Sequence, residues 1–212
     1  MNKFRLLRPD EIECRVGRVK NPDNNSPGGV SLLLYKTART DANLLDETVG
    51  PENWQNDFEL IDGILFGRLG VDYGNGLVWK MDAGVESNTE KEKGRASDAF
   101  KRAGYKHGIG RELYTSPFIW VSGADCRIKD RKCQDTFTVT DIRYDDAGTI
   151  VGLALINDKT HKSVYTYGTC RDATSRQESA QRAQEPPLTA QAAPDGNFYC
   201  IDCGQQVLPE TS

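Results

Sequence analysis

The sequence has no long apolar segment. None of its apolar runs approaches the roughly 20 residues that a membrane span requires. Residues 1–9 also lack an apolar core long enough for a secretion signal. These absences predict a cytosolic protein without a membrane partner. The six cysteines are then expected to be thiols or metal ligands rather than disulfides.

The sequence is also poor in groups that perform bond chemistry. It has only two histidines, His107 and His161, and its acids and serines form no catalytic grouping. The run 108–110, Gly-Ile-Gly, follows a predicted helix and is not succeeded by Gly-Lys-Ser/Thr, so it does not match a phosphate loop. We therefore predict that the chain is not an enzyme; a metal-dependent nuclease stays as a third alternative.

What the sequence contains is a soluble globular composition, with 37% hydrophobic and 27% charged residues in 212. The hydrophobic patterns predict one folded domain over residues 1–170. Residues 171–197 are rich in Gln, Ala, Ser, Thr and Pro, which predicts a disordered linker. Residues 198–212 form a short C-terminal segment.

The predicted fold class is α+β, with an antiparallel sheet. The apolar periodicities and turn signals predict two helices, and Asn75-Gly76 marks a hairpin. We assign Trp54 and Trp79 to the core. The predicted helices span 37–49 and 88–107, and the predicted strands span 1–20, 30–35, 58–68, 69–71, 77–85, 136–144, 150–156 and 163–167, the last three forming a meander.

One segment, residues 91–111, is strongly basic within an acidic chain. It contains seven Lys or Arg and two acids, a net charge of +5, whereas the whole chain carries −4. A local basic stripe on an acidic body favours a defined groove for phosphates. The alternative is an ordinary solvated helix face.

The spacing of the charges sharpens this prediction. At about 100° per residue, Lys91, Arg95, Arg102 and Lys106 fall within an arc of about 60°. Lys101 falls about 80° outside that stripe. Tyr105, beside Lys106, is the best placed aromatic side chain for stacking on a base or sugar. We also count Arg111, at the end of the segment, among the predicted DNA-binding residues.

The C-terminal segment holds a pair of cysteines at a metal-ligand spacing. Cys200-x-x-Cys203-Gly204 has the form of one zinc knuckle, but a structural zinc site needs four ligands. Cys200 and Cys203 are therefore candidate zinc ligands, in half a zinc ribbon, in a site shared between subunits, or in a degenerate remnant. We expect no other cofactor.

The order of elements is more specific than any single motif. A predicted helix is followed by Gly50-Pro51-Glu52-Asn53-Trp54, then a hairpin, then residues 97–103, Ser-Asp-Ala-Phe-Lys-Arg-Ala, and residues 108–114, Gly-Ile-Gly-Arg-Glu-Leu-Tyr. Over residues 30–120 this resembles the single-strand annealing proteins of the Rad fifty-two superfamily, particularly the phage Sak-type and bacterial DdrA-like branch.

The resemblance implies a β-β-β-α core packed on a long basic helix, which assembles into rings or open helical arcs. It implies that Lys101 and Arg102 contact the backbone of single-stranded DNA in a positively charged groove. Two positions depart from the family pattern: Tyr105 stands where eukaryotic relatives have a further basic residue, and Thr40 stands at the position of an arginine, so that Arg39 beside it is the candidate.

The expected function is therefore ATP-independent binding of single-stranded DNA and annealing of complementary strands, in recombination or repair, by a homo-oligomer. Expected protein partners are a single-strand-binding protein or a recombination exonuclease, and the location is the cytoplasm of a bacterial host if the gene belongs to a phage. The alternatives are an end-protecting protein that does not anneal, and a scaffold oligomer with no DNA role.

Overall fold

A computed structural model of the chain describes residues 4–85 and 91–170, together with the backbone of three short strands nearer the C-terminus. Residues 1–174 form one compact unit and residues 175–212 another. The first unit combines two α-helices with antiparallel strands, so the predicted α+β class is confirmed.

The bounds of these elements agree with the sequence patterns in most places. The helices of the first unit are α1 (Ala38–Val49) and α2 (Lys91–His107), and its strands are β1 (Glu13–Lys20), β2 (Gly29–Tyr35), β3 (Trp54–Ile61), β4 (Ile64–Asp72), β5 (Leu77–Ala83), β6 (Ile119–Ser122), β7 (Ile128–Lys129), β8 (Lys132–Cys133), β9 (Phe137–Tyr144), β10 (Ile150–Asn157) and β11 (Ser163–Gly168).

Six strands form the larger sheet, in the order β11-β10-β9-β1-β2-β6, with every neighbouring pair antiparallel. Its inner face is apolar: Val30, Leu153 and Val121 are fully buried. The two edge strands lie close to each other: the Tyr165 hydroxyl on β11 donates a hydrogen bond of 3.1 Å to the Phe118 carbonyl, just before β6. The sheet therefore curls around its core, as alternating strands with one apolar face tend to do.

In the smaller sheet, β3-β4-β5, the strands are divided at a different residue from the one predicted. The sequence patterns predict separate strands over 58–68 and 69–71, but the break lies at Asp62 and Gly63, which form a turn between β3 and β4, and residues 69–71 continue β4. Both turn residues have positive φ, 50° and 77°. Asp-Gly accepts this conformation readily, and it is the sequence signal for a two-residue hairpin.

Helix α2 packs against the smaller sheet through very small side chains. Ala99 and Ala103 are fully buried, and a Cβ atom on Gly67 of β4 would lie 2.8 Å from the Ala99 backbone. Phe100 contacts Trp54, with ring centroids 6.1 Å apart. The helix backbone therefore lies close to β4.

Trp79 does not belong to the core, contrary to the prediction. Its side chain is 40% exposed and lies across Gly70 on the face of β4 opposite α2. The Arg68 guanidinium covers the indole ring at 5.1 Å. Trp54, in contrast, is partly buried against the core.

The second unit contains three two-residue antiparallel strands, β12 (Gln191–Ala192), β13 (Phe198–Tyr199) and β14 (Gln206–Val207), in that order. Apart from 191–192, the predicted linker lies outside the described residues, and so do Cys200 and Cys203. Neither α-helix in the described part of the chain has the length and apolar character that a membrane crossing requires.

Candidate functional site

A groove of about 750 Å³ runs between α2 and the β2 side of the larger sheet. One wall comes from α2 and the turn that follows it, and the other from β1, β2 and the residue after β2. The groove is lined by five cationic residues and two acids, together with three tyrosines; these are Arg15, Lys36, Lys101, Arg102 and Lys106, then Asp82 and Asp98, then Tyr35, Tyr105 and Tyr114.

Asp82 on β5 forms ion pairs with two of the cations. Its carboxylate lies 3.3 Å from the Arg102 guanidinium and 3.4 Å from the Lys106 ammonium. Burial acts to raise the pKa of Asp82, but the Ala83 N–H and the two cations lower it overall. Arg102 and Lys106 are each 46% exposed, so both retain donors that face solvent and can bind a further anion.

The floor of the groove contains a buried ion pair. The Lys36 ammonium lies 2.5 and 2.6 Å from the two Asp41 oxygens, and the Asp41 side chain is fully buried. Two glycines leave space for this ion pair. A Cβ atom on Gly104 would lie 2.7 Å from the Asp41 carboxylate, and a Cβ atom on Gly110 would lie 2.4 Å from the Lys36 side chain. The pair therefore joins the end of β2 to the first turn of α1. Because Asp41 offsets the charge of Lys36, Lys36 contributes less positive charge to a ligand in the groove.

Lys101 lines the same groove as Arg102 and Lys106, although the helical wheel places it outside the stripe. It is half-buried and close enough to the Lys36–Asp41 pair to act on both charges. The wheel describes a helix alone, whereas the groove also has a wall formed by β2. That wall brings the Lys101 side of the helix into the groove.

Two tyrosines and an arginine form a compact cluster at the C-terminal end of α2. The rings of Tyr105 and Tyr114 lie 4.9 Å apart. The Arg111 guanidinium lies over the Tyr105 ring at 5.4 Å, and its nitrogens donate to the carbonyls of Tyr105 and Lys106, each at 2.8 Å. Arg111 thereby caps the end of the helix, where cations are favourable.

Of the other predicted site residues, those whose side chains the structure describes lie outside the groove. Arg111 lines a neighbouring pocket of about 530 Å³ with Lys80 and His107. Arg95 is half-buried and Arg39 is exposed on the first turn of α1, and neither is among the residues that line the groove. The Lys91 side chain lies outside the described residues.

His107 is buried, and both of its ring nitrogens have hydrogen-bonding partners within the fold. Its Nδ1 lies 2.9 Å from the Tyr73 hydroxyl and its Nε2 lies 2.9 Å from the Leu69 carbonyl. Burial lowers its pKa, which favours the neutral ring at pH 7.

Among the described residues, no three His, Cys, Asp or Glu side chains are grouped so as to hold a metal ion, and the four described cysteines are free thiols.

Sequence reasoning missed the wall that faces α2. Arg15 pairs with Leu33, and Glu13 with Tyr35, across β1 and β2, and the Tyr35 hydroxyl donates to the Glu13 carboxylate. Leu33 is 47% exposed, although it lies in an apolar run that was predicted only as a strand. Period-two alternation would have placed Leu33 and Tyr35 on one face, but it could not show that this face looks onto α2.

Part of the chain is similar to a bacterial DNA-binding protein. The chain is 36% identical over 102 residues to the single-stranded DNA-binding protein DdrA of Deinococcus radiodurans, an alignment that covers 45% of this chain and 47% of the relative. The chain therefore matches about half the length of that protein. No family model matches the chain, and no solved structure matches it.

Proposed function

We propose that the groove beside α2 binds single-stranded DNA. The observation that carries this proposal is the combination of Lys101, Arg102 and Lys106 with two tyrosine rings in one groove, on a chain whose net charge is −4. Cationic grooves with aromatic rings suit single strands, since phosphates pair with the cations and bases stack on the rings. The 36% identity to a protein named for single-stranded DNA binding supports the same conclusion.

In this proposal the phosphates run along α2. Lys101 and Arg102 bind them directly, as the family resemblance implies, and Lys106 extends the contact by one turn. Asp82 forms ion pairs with Arg102 and Lys106 in the absence of DNA, and a bound phosphate would compete with it for these two cations. Binding then depends strongly on salt, because counterions leave the DNA when these residues neutralise its phosphates.

The proposal extends to annealing of complementary strands, without ATP, by a homo-oligomer in recombination or repair. One groove is short, and several grooves side by side hold a strand with a higher effective affinity. The hairpin of β3 and β4 offers apolar surface for assembly: Phe58 and Leu60, which are 43% and 66% exposed, lie on one of its faces, and Ile64, which is 47% exposed, lies on the other. Exposed apolar surface of this kind can mark an interaction site.

The direct test combines a binding assay with an annealing assay. Fluorescence anisotropy of a labelled oligothymidine measures binding, and quenching between two labelled complementary strands measures annealing. The variant Lys101→Ala/Arg102→Ala is expected to weaken binding and to slow annealing. The matched control, Lys159→Ala/Lys162→Ala, removes two exposed charges from the turn between β10 and β11 and is expected to change neither.

The outcomes separate the competing functions. Binding together with faster annealing supports the full proposal. Binding without annealing supports the end-protecting alternative. Oligomers that do not retain single-stranded DNA support the scaffold alternative, and degradation of the strand with added divalent metal indicates a nuclease.

A further inference from the structure

Tyr114 is exposed to an extent that no structural role explains. Its side chain is 77% exposed, although it directly follows Leu113, which packs against the core. A ring that remains in water adds little to folding stability. It lies in the short helical turn Arg111–Thr115, which follows α2 and forms part of the groove wall.

The position of the Tyr114 ring is defined by its neighbours. It contacts the Tyr105 ring at a centroid distance of 4.9 Å and an interplanar angle of 56°. Tyr105 is in turn fixed by Arg111, which covers its ring and donates a hydrogen bond of 2.8 Å to its carbonyl. One ring is therefore held against the helix end, while the other presents its surface to solvent.

Both rings lie beside the phosphate-binding cations. Tyr105 and Tyr114 line the same groove as Lys101, Arg102 and Lys106. Tyr105 is one helical turn beyond Arg102, so the two side chains are neighbours on the helix surface. A strand whose phosphates contact the cations brings its bases within reach of the rings.

We propose that Tyr105 and Tyr114 form a base-stacking platform that makes the groove selective for single strands over duplex DNA. This inference rests on the proposed function. The faces of the bases are open in a single strand and covered in a duplex, so only a single strand gains from the platform. Stacking uses the face of a base and leaves its hydrogen-bonding edge free, so that the base remains available to a complementary strand.

The test compares an oligothymidine with an abasic strand of the same length and charge, by anisotropy at one salt concentration. The wild-type protein is expected to bind oligothymidine about tenfold more tightly than the abasic strand, as stacking of one base predicts. Tyr114→Ala is expected to remove this difference by weakening oligothymidine binding alone, and Tyr114→Phe is expected to retain it. Phe118→Ala removes a ring that is 75% exposed outside the groove and is expected to have no effect.

A variant that lacks two groove cations distinguishes DNA binding by the groove from base stacking on the two tyrosines. Lys101→Ala/Arg102→Ala is expected to weaken binding of both strands by the same factor. If wild-type protein binds oligothymidine and abasic strand equally well, the platform is refuted while DNA binding stands. If wild-type protein binds neither strand, both proposals are refuted. Circular dichroism melting confirms that each variant is folded.

Discussion

At the scale of single residues, Asp82 limits the positive charge of the groove. It pairs with Arg102 and Lys106, whose side chains are each 46% exposed. Asp82→Asn is expected to tighten binding of single-stranded DNA by up to about fivefold, since an exposed ion pair contributes up to about 1 kcal/mol. Anisotropy titration measures the change. Weaker binding would mean that Asp82 positions the cations and does not compete with DNA.

The buried pair of Lys36 and Asp41 gives a second prediction at this scale. Lys36→Met leaves the fully buried Asp41 without its cation. We expect this change to lower the free energy of unfolding by about 3 to 5 kcal/mol, because Asp41 then loses the partner that offsets the cost of its burial, a cost that already raises its pKa to about 6. The double variant Lys36→Met/Asp41→Leu is expected to lose much less, since it removes both charges. Urea unfolding at pH 7 measures both, and equal losses in the two variants would contradict the assignment.

At the scale of elements, Arg5 fastens the N-terminal segment to α1. Its guanidinium binds Glu11 at 2.7 Å and Glu47 of α1 at 2.8 Å. The hydrogen bonds from Arg5 lower the pKa of Glu11 below its ordinary value of 4.5. A carboxyl group with a lowered pKa adds stability above its unfolded pKa, and that stability disappears as the pH falls through the folded value.

Glu11→Gln is therefore expected to lower the free energy of unfolding by about 1 to 3 kcal/mol at pH 7. The loss should shrink as the pH falls below 4.5, where the wild-type carboxyl also becomes protonated. Denaturant unfolding of both proteins between neutral pH and about pH 3 measures the difference. If the free energies of unfolding of the wild-type protein and Glu11→Gln differed by the same amount at every pH, the Glu11 charge would not be the source of the stabilisation.

The sequence predicts the helices and strands better than it predicts how these elements pack against one another. The periodicity of α2 and the position of β9–β11 follow from local patterns, and the Asp62-Gly63 turn could have been predicted from the dipeptide alone. Lys101 was linked to the site only through the family resemblance. Arg15 and Tyr114 were missed, because their relation to the helix arises from tertiary packing between segments far apart in sequence.

At the scale of the whole molecule, the proposal places assembly of the homo-oligomer on the hairpin of β3 and β4. Leu60 and Ile64 lie on either side of its turn and are 66% and 47% exposed. Leu60→Ser/Ile64→Ser is expected to shift the protein to smaller oligomers or monomers without unfolding it, because neither side chain belongs to the core. Light scattering after size-exclusion chromatography measures the change. An unchanged mass would place the assembly surface elsewhere.

The claim that the α2 groove binds the phosphates of a single strand is tested most directly by the salt dependence of binding. Anisotropy titrations with oligothymidine from about 50 to 200 mM salt give the slope of log affinity against log salt. Lys101→Ala/Arg102→Ala is expected to reduce the magnitude of this slope by about 1.4, since each phosphate contact to a single strand contributes about 0.7. Lys159→Ala/Lys162→Ala should leave the slope unchanged. An unaltered slope and affinity in the folded Lys101→Ala/Arg102→Ala variant would contradict the groove as the DNA-binding site.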